Sequence, residues 1–274
     1  MGLFEGKKGL ILGVANDRSI AWAVAKKVMQ EGAKCGFTHL PDRPEDERKK
    51  NRRRVTKCLE ESGFEAEFLV PLDVQNDENI EQVIQTASET FGKIDFLVHS
   101  IAFADREDLK RDTVETSRSG FLMAMDISAY SLLAVANAAK DIFNENGSIL
   151  TMSYFGGEKI VPGYNVMGVC KAALEASMRY AAYDLGPRGI RVNALSAGPL
   201  KTLAGSAAGV GEMLKLYEQM APSGRNVTHE EVGNSAAYLL SDMSGAVTGE
   251  VHHVDGGYNA MGAPGRLLDS LEVN

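Results

Sequence analysis

Apolar residues come along this chain in short, nearly continuous runs, and between the runs the spacing changes to that of a helix. The runs cover residues 9–14, 34–38, 66–70, 94–99, 148–152, 190–195 and 249–254. Several are apolar at successive positions rather than alternating, as expected of parallel strands covered on both faces. Helical periodicity occupies residues 19–30, 77–91, 164–185 and 229–240. Seven strands with helical crossovers predict an α/β fold: a single Rossmann-like, doubly wound parallel sheet of about seven strands with helices on both faces. No internal repeat or low-complexity linker interrupts the 274 residues, so one domain is expected over 1–274.

Two segments break the rhythm. Residues 41–57 are densely charged, with Arg48-Lys49-Lys50 and Arg52-Arg53-Arg54, and read as the solvated face of a helix after the second strand. Residues 198–221 combine small residues (Ala204 to Gly209) with the amphipathic piece Met213-Leu214-Lys215-Leu216-Tyr217. This second segment follows the C-terminal end of a strand, where ligands bind in such sheets, so a small substrate lid is expected there.

Composition narrows the class. Apolar content of 44% and charged content of 24% are ordinary for a globular protein, and a net charge of -8 argues against a nucleic-acid binder. No apolar run suggests a bilayer span, and residues 1–8 lack the apolar core of a signal peptide. Gly6 stands where a myristoylation signal needs Ser or Thr. Cys35, Cys58 and Cys170 show neither metal nor redox spacing, which suits reduced thiols and a cytoplasmic setting. His252 and His253 are adjacent in a strand and face opposite ways, so they make poor joint metal ligands, and no metal site is expected.

Candidate chemistry gathers at the strand ends. After the first strand, Gly13 permits a tight turn, and Ser19 sits at the N-cap of the following helix, whose N-terminus suits a pyrophosphate. Ala15 and Arg18 replace the later glycines of the strict G-x-G-x-x-G fingerprint, so the turn alone is a weak signal. Asp73, closing the third strand with Val74, could accept from an adenine amine, and the small residues within 99–104 would let a ribose approach the backbone. His99 reads as a structural residue and Cys170 as packing. Tyr164 and Lys171 lie seven positions apart, which on a helix sets them on one face about 10 Å apart along the axis. There the phenol could donate a proton or hydrogen bond while the ammonium acts as a fixed cation, with Tyr154 nearby in sequence.

Together these features resemble the short-chain dehydrogenase/reductase superfamily and, within it, the bacterial enoyl-acyl carrier protein reductases of the NADH type. The resemblance spans nearly the whole chain. It is carried by Gly13 and Ser19-Ile20-Ala21, by residues 99–104, by Ser153-Tyr154 and by Pro162 with Tyr164-Asn165-Val166-Met167. It continues through Lys171, residues 191–199 and Val254-Asp255-Gly256-Gly257. Superfamily members that reduce ketones carry Tyr and Lys four apart; here the positions four after Tyr164 and Tyr154 are Gly168 and Glu158. A short-chain reductase acting on a ketone or alcohol is therefore the alternative.

The resemblance implies reduction of the carbon–carbon double bond of a trans-2-enoyl thioester on acyl carrier protein. Tyr164 would stabilise the enolate oxygen and Lys171 hold the nicotinamide ribose, with Tyr154 as a second catalytic tyrosine. Gly13, Ser19, Ile20, Asp73, Val74, Ile101, Lys171, Leu200, Lys201, Thr202, Leu203 and Ala204 would bind the cofactor, and Ala104 the substrate. NADH is the implied cofactor, although Leu40 stands where NADH-using members commonly carry Gln, and the basic residues within 43–54 leave NADPH open. A homotetramer is implied as well. Lys201, Lys215 and Arg225, flanking the lid, are candidates to receive an acidic carrier protein.

Overall fold

A computed structural model of the chain describes residues 2–202 and 210–270. Its seven strands are β1 (Lys8–Leu12), β2 (Lys34–His39), β3 (Phe68–Pro71), β4 (Ile94–His99), β5 (Phe143–Ser153), β6 (Arg191–Ala197) and β7 (Val251–Val254). They form one sheet in the order β3-β2-β1-β4-β5-β6-β7, parallel at every pairing. The order reverses between β1 and β4, where a doubly wound sheet opens a crevice at its C-terminal edge. The register aligns Leu12 with His99 and His99 with Thr151, so the residues after these strands share that edge.

Alternation along the strands divides the core into two layers. Ile11, Phe37, Phe96, Val98, Leu150 and Leu195 pack on one face against α1 (Ile20–Gln30), α2 (Lys50–Ser62) and α9 (His229–Leu240). Leu10, Leu12, Leu97, Ile149, Val192 and Ala194 pack on the other against α3 (Asp77–Phe91), α6 (Ser131–Ala139) and α7 (Val166–Leu185). Every one of these twelve strand side chains is buried, which is why their sequence reads as unbroken apolar runs. Of the charged segment only residues from Lys50 onward enter α2, which buries Val55, Cys58 and Leu59, while Asp42 accepts from the amides of Asn51 and Arg52 at its start.

The crossover from β4 to β5 carries more structure than its sequence suggests. It contains α4 (Arg106–Lys110), α5 (Arg118–Met125), a π-helical turn (Asp126–Tyr130) and α6. Contrary to the reading of the sequence, the run Arg118–Ala139 is long and apolar enough, by length and composition, to cross a membrane. In the fold its inner side joins the second core layer through Ala129, Leu132, Val135 and Ala136. After β6 come α8 (Val210–Met220), α9 and, beyond β7, α10 (Leu267–Ser270). The expected lid, 198–221, is described at its two ends only.

Candidate active site

At the nucleotide edge, Gly13 has φ +96°, and a Cβ there would lie 2.0 Å from the Ser100 carbonyl oxygen. Only glycine lets the ends of β1 and β4 close to this distance. Ser19 occupies the N-cap position of α1, but its hydroxyl does not cap the helix as the sequence suggested. Its Oγ instead accepts from the amides of Ala15 and Asn16, both at 3.0 Å, and so fixes the loop between β1 and α1. Loop closure by Ser19 leaves the amides of Ile20 and Ala21 without hydrogen-bond partners among the described residues. Free amides at the start of an 11-residue helix beside a glycine turn fit a pyrophosphate.

Along the same edge, Asp73 is exposed and Val74 buried. Asp73 Oδ1 accepts from the Gln75 amide at 3.0 Å, while its own amide donates to Asn79 Oδ1 at 2.7 Å. Ile101 is half-buried against the second core layer, Leu200 is buried in the first, and Lys201 is exposed with Thr202 half-buried beside it. Leu203 and Ala204 lie outside the described residues. Where β2 ends, Leu40 is 68% exposed and His39 is buried, its Nδ1 2.9 Å from the Leu40 carbonyl.

The two tyrosines and the lysine converge at the end of β5. Tyr154 and Tyr164 meet edge to face with ring centroids 4.7 Å apart. Tyr164 is not on α7, as the seven-residue spacing had suggested. The helix begins at Val166, and the residue before it, Asn165, takes φ +43° and ψ -124°. A non-glycine residue in this region is strained by about 1–3 kcal/mol. Asn165 is held there by its side-chain amide, which donates to the carbonyls of Leu109 at 3.0 Å and Arg111 at 2.7 Å. The turn carries Tyr164 off the helix axis and onto a small apolar cluster with Ala104, Leu109, Met125 and Met167.

Lys171, on the buried side of α7, is 5% exposed and donates to the Met152 carbonyl at 2.7 Å. Burial brings its ammonium down to about 8, against the opposing influence of Cys170 and Glu175. Burial also pushes the Tyr164 phenol above its ordinary value, with Tyr154 and Cys170 adding to the effect. At neutral pH the site therefore holds a protonated phenol and an ammonium, a donor and a cation rather than a base.

Residues outside the expected catalytic set complete the surroundings. Tyr154 Oη lies 3.2 Å from Met213 Sδ and 3.4 Å from Tyr217 Oη, both on α8. Tyr217 stacks on Tyr258 at 3.8 Å, and Ser153 donates to the buried Glu175 carboxylate. The amphipathic pattern of 213–217 held the signal for Tyr217, since its apolar side has to cover something. His99 is fully buried between Thr151 Oγ1 and Ser131 Oγ, and burial lowers it to about 3, which keeps it neutral. His252 contacts the Tyr238 ring and His253 pairs with Glu158 at 2.7 Å, so the two point apart. Cys170 packs against Val166 and Met167. Arg225 is engaged by both carboxylate oxygens of Glu231, at 3.0 and 2.6 Å.

A family model described as enoyl-(acyl carrier protein) reductase matches residues 13–259. The chain is 52% identical to the enoyl-acyl carrier protein reductase (NADH) 1 of Rhizobium meliloti over 276 aligned residues, covering 100% of this chain and 97% of the relative. Among solved structures it is similar to the Bacillus cereus enoyl-acyl carrier protein reductase with NADP+ and indole naphthyridinone. That match has a TM-score of 0.90 and 46% identity, and covers 96% of this chain and 100% of the other. The Anaplasma phagocytophilum enoyl-acyl carrier protein reductase in complex with NAD matches with a TM-score of 0.88 and 46% identity, over 96% and 97% of the two chains.

Proposed function

The chain belongs to the enoyl-acyl carrier protein reductase family, and from that premise we propose how its residues divide the work. It is an oxidoreductase that uses NADH to reduce the carbon–carbon double bond of an enoyl thioester on acyl carrier protein, the last reductive step of fatty-acid elongation. The carrying observation is the joint placement of Tyr164 against Tyr154 and of Lys171 under the end of β5.

Bound NADH supplies the hydride. Gly13, Ser19 and the free amides of Ile20 and Ala21 hold its pyrophosphate; Asp73, Val74 and Ile101 receive the adenosine, and Leu200, Lys201 and Thr202 the nicotinamide end. Leu203 and Ala204 stay with this group on the strength of the resemblance alone. As the β-carbon of the substrate is reduced, negative charge develops on the thioester oxygen, and a donor aimed at that oxygen lowers the barrier. Tyr164 is that donor, because burial keeps its phenol protonated. Lys171 binds the ribose hydroxyls and adds positive potential; the Met152 carbonyl uses one of its three ammonium protons. Ala104, in the same apolar cluster as Tyr164, lines the acyl path, and Tyr154 closes the site toward α8.

Tyr164→Phe and Lys171→Ala test this division of labour. Each variant should stay folded and lose turnover by about a hundredfold or more. Near-wild-type rates in both would remove the site from these residues.

The segment 198–221 serves as the lid, with Lys201 and Lys215 exposed to meet an acidic carrier protein and Arg225 already committed to Glu231. The enzyme is a cytoplasmic homotetramer in this reading. Support comes from the three free thiols and from large apolar side chains left exposed, Tyr180 and Tyr183 on α7 at 74% and 82% and Leu122, Tyr130 and Leu133 on the β4–β5 crossover. Light scattering of Tyr180→Glu/Tyr183→Glu should report a smaller particle than wild type.

A further inference from the structure

The end of β5 is tied to α7 twice, by residues one helical turn apart. Lys171 donates to the carbonyl of Met152, and Glu175 accepts from the hydroxyl of Ser153. The next residue is Tyr154, whose ring supports Tyr164. Both helix residues are buried, at 5% and 4% exposure. The loop beyond Tyr154 lies directly on the same stretch of helix: a Cβ at Gly157 would come within 3.0 Å of both Glu175 Oε1 and the Lys171 carbonyl carbon.

We propose that Glu175 is a positioning residue of the hydride-transfer site, fixing the strand end that carries Tyr154 and keeping Lys171 positively charged. This rests on the reading of Tyr154, Tyr164 and Lys171 given above.

A carboxylate at this place does two things a neutral acceptor cannot do together. As an acceptor, it orients the Ser153 hydroxyl and with it the exit of the chain from β5. As an anion one turn from a buried ammonium, it offsets the desolvation that favours loss of the Lys171 proton. The groups facing it are Lys171 and Arg179 on its own helix, Glu158 on the loop after β5, and Glu250 and His253 at β7. Glu158 is paired with His253, so its charge is partly answered from β7. Burial raises Glu175 itself; the Ser153 hydroxyl, Arg179 and His253 oppose that shift, and Glu158 adds to it.

The test uses the full-length enzyme with NADH and a small enoyl thioester, measuring kcat and KM across pH for Glu175→Gln, Ser153→Ala and Glu175→Ala. Glu175→Gln keeps an acceptor for Ser153 but removes the charge. Its kcat/KM for NADH should begin to fall about one pH unit lower than wild type. Ser153→Ala should leave that limb in place and lower kcat about tenfold with KM for NADH unchanged, as for a misplaced strand end. Glu175→Ala combines both effects, and if it does not fold, the other two variants carry the test. Absence of either the limb shift in Glu175→Gln or the kcat loss in Ser153→Ala overturns the proposal. Tyr164→Phe is run alongside: if it retains turnover, the underlying assignment fails, whereas an inactive Tyr164→Phe with unaffected Glu175 and Ser153 variants removes only the role of Glu175.

Discussion

Gly156 gives the sharpest handle on the placement of Tyr164. Its backbone needs no glycine conformation, yet a Cβ at this position would lie 2.4 Å from Cδ1 and 3.0 Å from Cε1 of the Tyr164 ring, and 3.3 Å from Cδ1 of Tyr154. Ordinary carbon contacts begin near 3.4 Å, so in Gly156→Ala the Tyr164 ring must retreat by about 1 Å. The ring cannot absorb this by swinging freely, because it packs on the buried apolar cluster of Ala124, Val166, Met167 and Cys170. A displacement of about 1 Å in a catalytic donor costs on the order of a hundredfold in rate, or about 2.7 kcal/mol of barrier. The assay is steady-state oxidation of NADH with an enoyl thioester, paired with thermal unfolding. We expect kcat to fall about a hundredfold and KM for NADH to stay near wild type, with stability changed by only about 1–2 kcal/mol. Gly186→Ala serves as the control, since a Cβ there meets nothing within 4 Å and φ is -53°. A folded Gly156→Ala enzyme with wild-type kcat would refute the claim that the Tyr164 ring must occupy its observed position.

Three further outcomes follow from the same geometry. The Lys171 ammonium is needed protonated and titrates at about 8, so kcat/KM for NADH should hold below that pH and decline as pH rises through it; a rate flat to pH 10 would contradict this. Ser19→Ala removes the acceptor shared by the Ala15 and Asn16 amides, a loss of about 1–2 kcal/mol, so KM for NADH should rise about tenfold while kcat holds, as read from initial rates. With Leu40 exposed and His39 turned to a backbone carbonyl at the end of β2, parallel assays should give a higher kcat/KM with NADH than with NADPH.

The fold was largely legible because the central strands β1, β4 and β6 are covered on both faces, so burial wrote the mostly apolar runs at 94–99 and 190–195. The β4–β5 crossover was not. Its helix is split by a π-helical turn and its caps, Asp105 and Ser117, belong to short elements with little periodicity. At the site, residue identity outran geometry. The motif names Tyr164 and Lys171 as candidates, but the helix start depends on Asn165, whose strained backbone is held by carbonyls 54 and 56 residues away. No local pattern encodes such a contact. Ser19 shows a similar limit, since an N-cap residue and a loop acceptor look alike until the loop is folded. Glu175 left a readable trace: four positions after Lys171, it is the one carboxylate on an inner face of α7 that is apolar apart from these two residues.

The central claim is that the Tyr164–Lys171 arrangement serves double-bond rather than carbonyl reduction, and it has a direct measurement. Purified enzyme is given NADH with a crotonyl thioester and, in parallel, with an acetoacetyl thioester, for wild type and Tyr164→Phe. The account predicts rapid NADH oxidation with the enoyl thioester alone, abolished by Tyr164→Phe. Faster turnover of the ketoacyl thioester, or an enoyl rate indifferent to the loss of the Tyr164 hydroxyl, would contradict it.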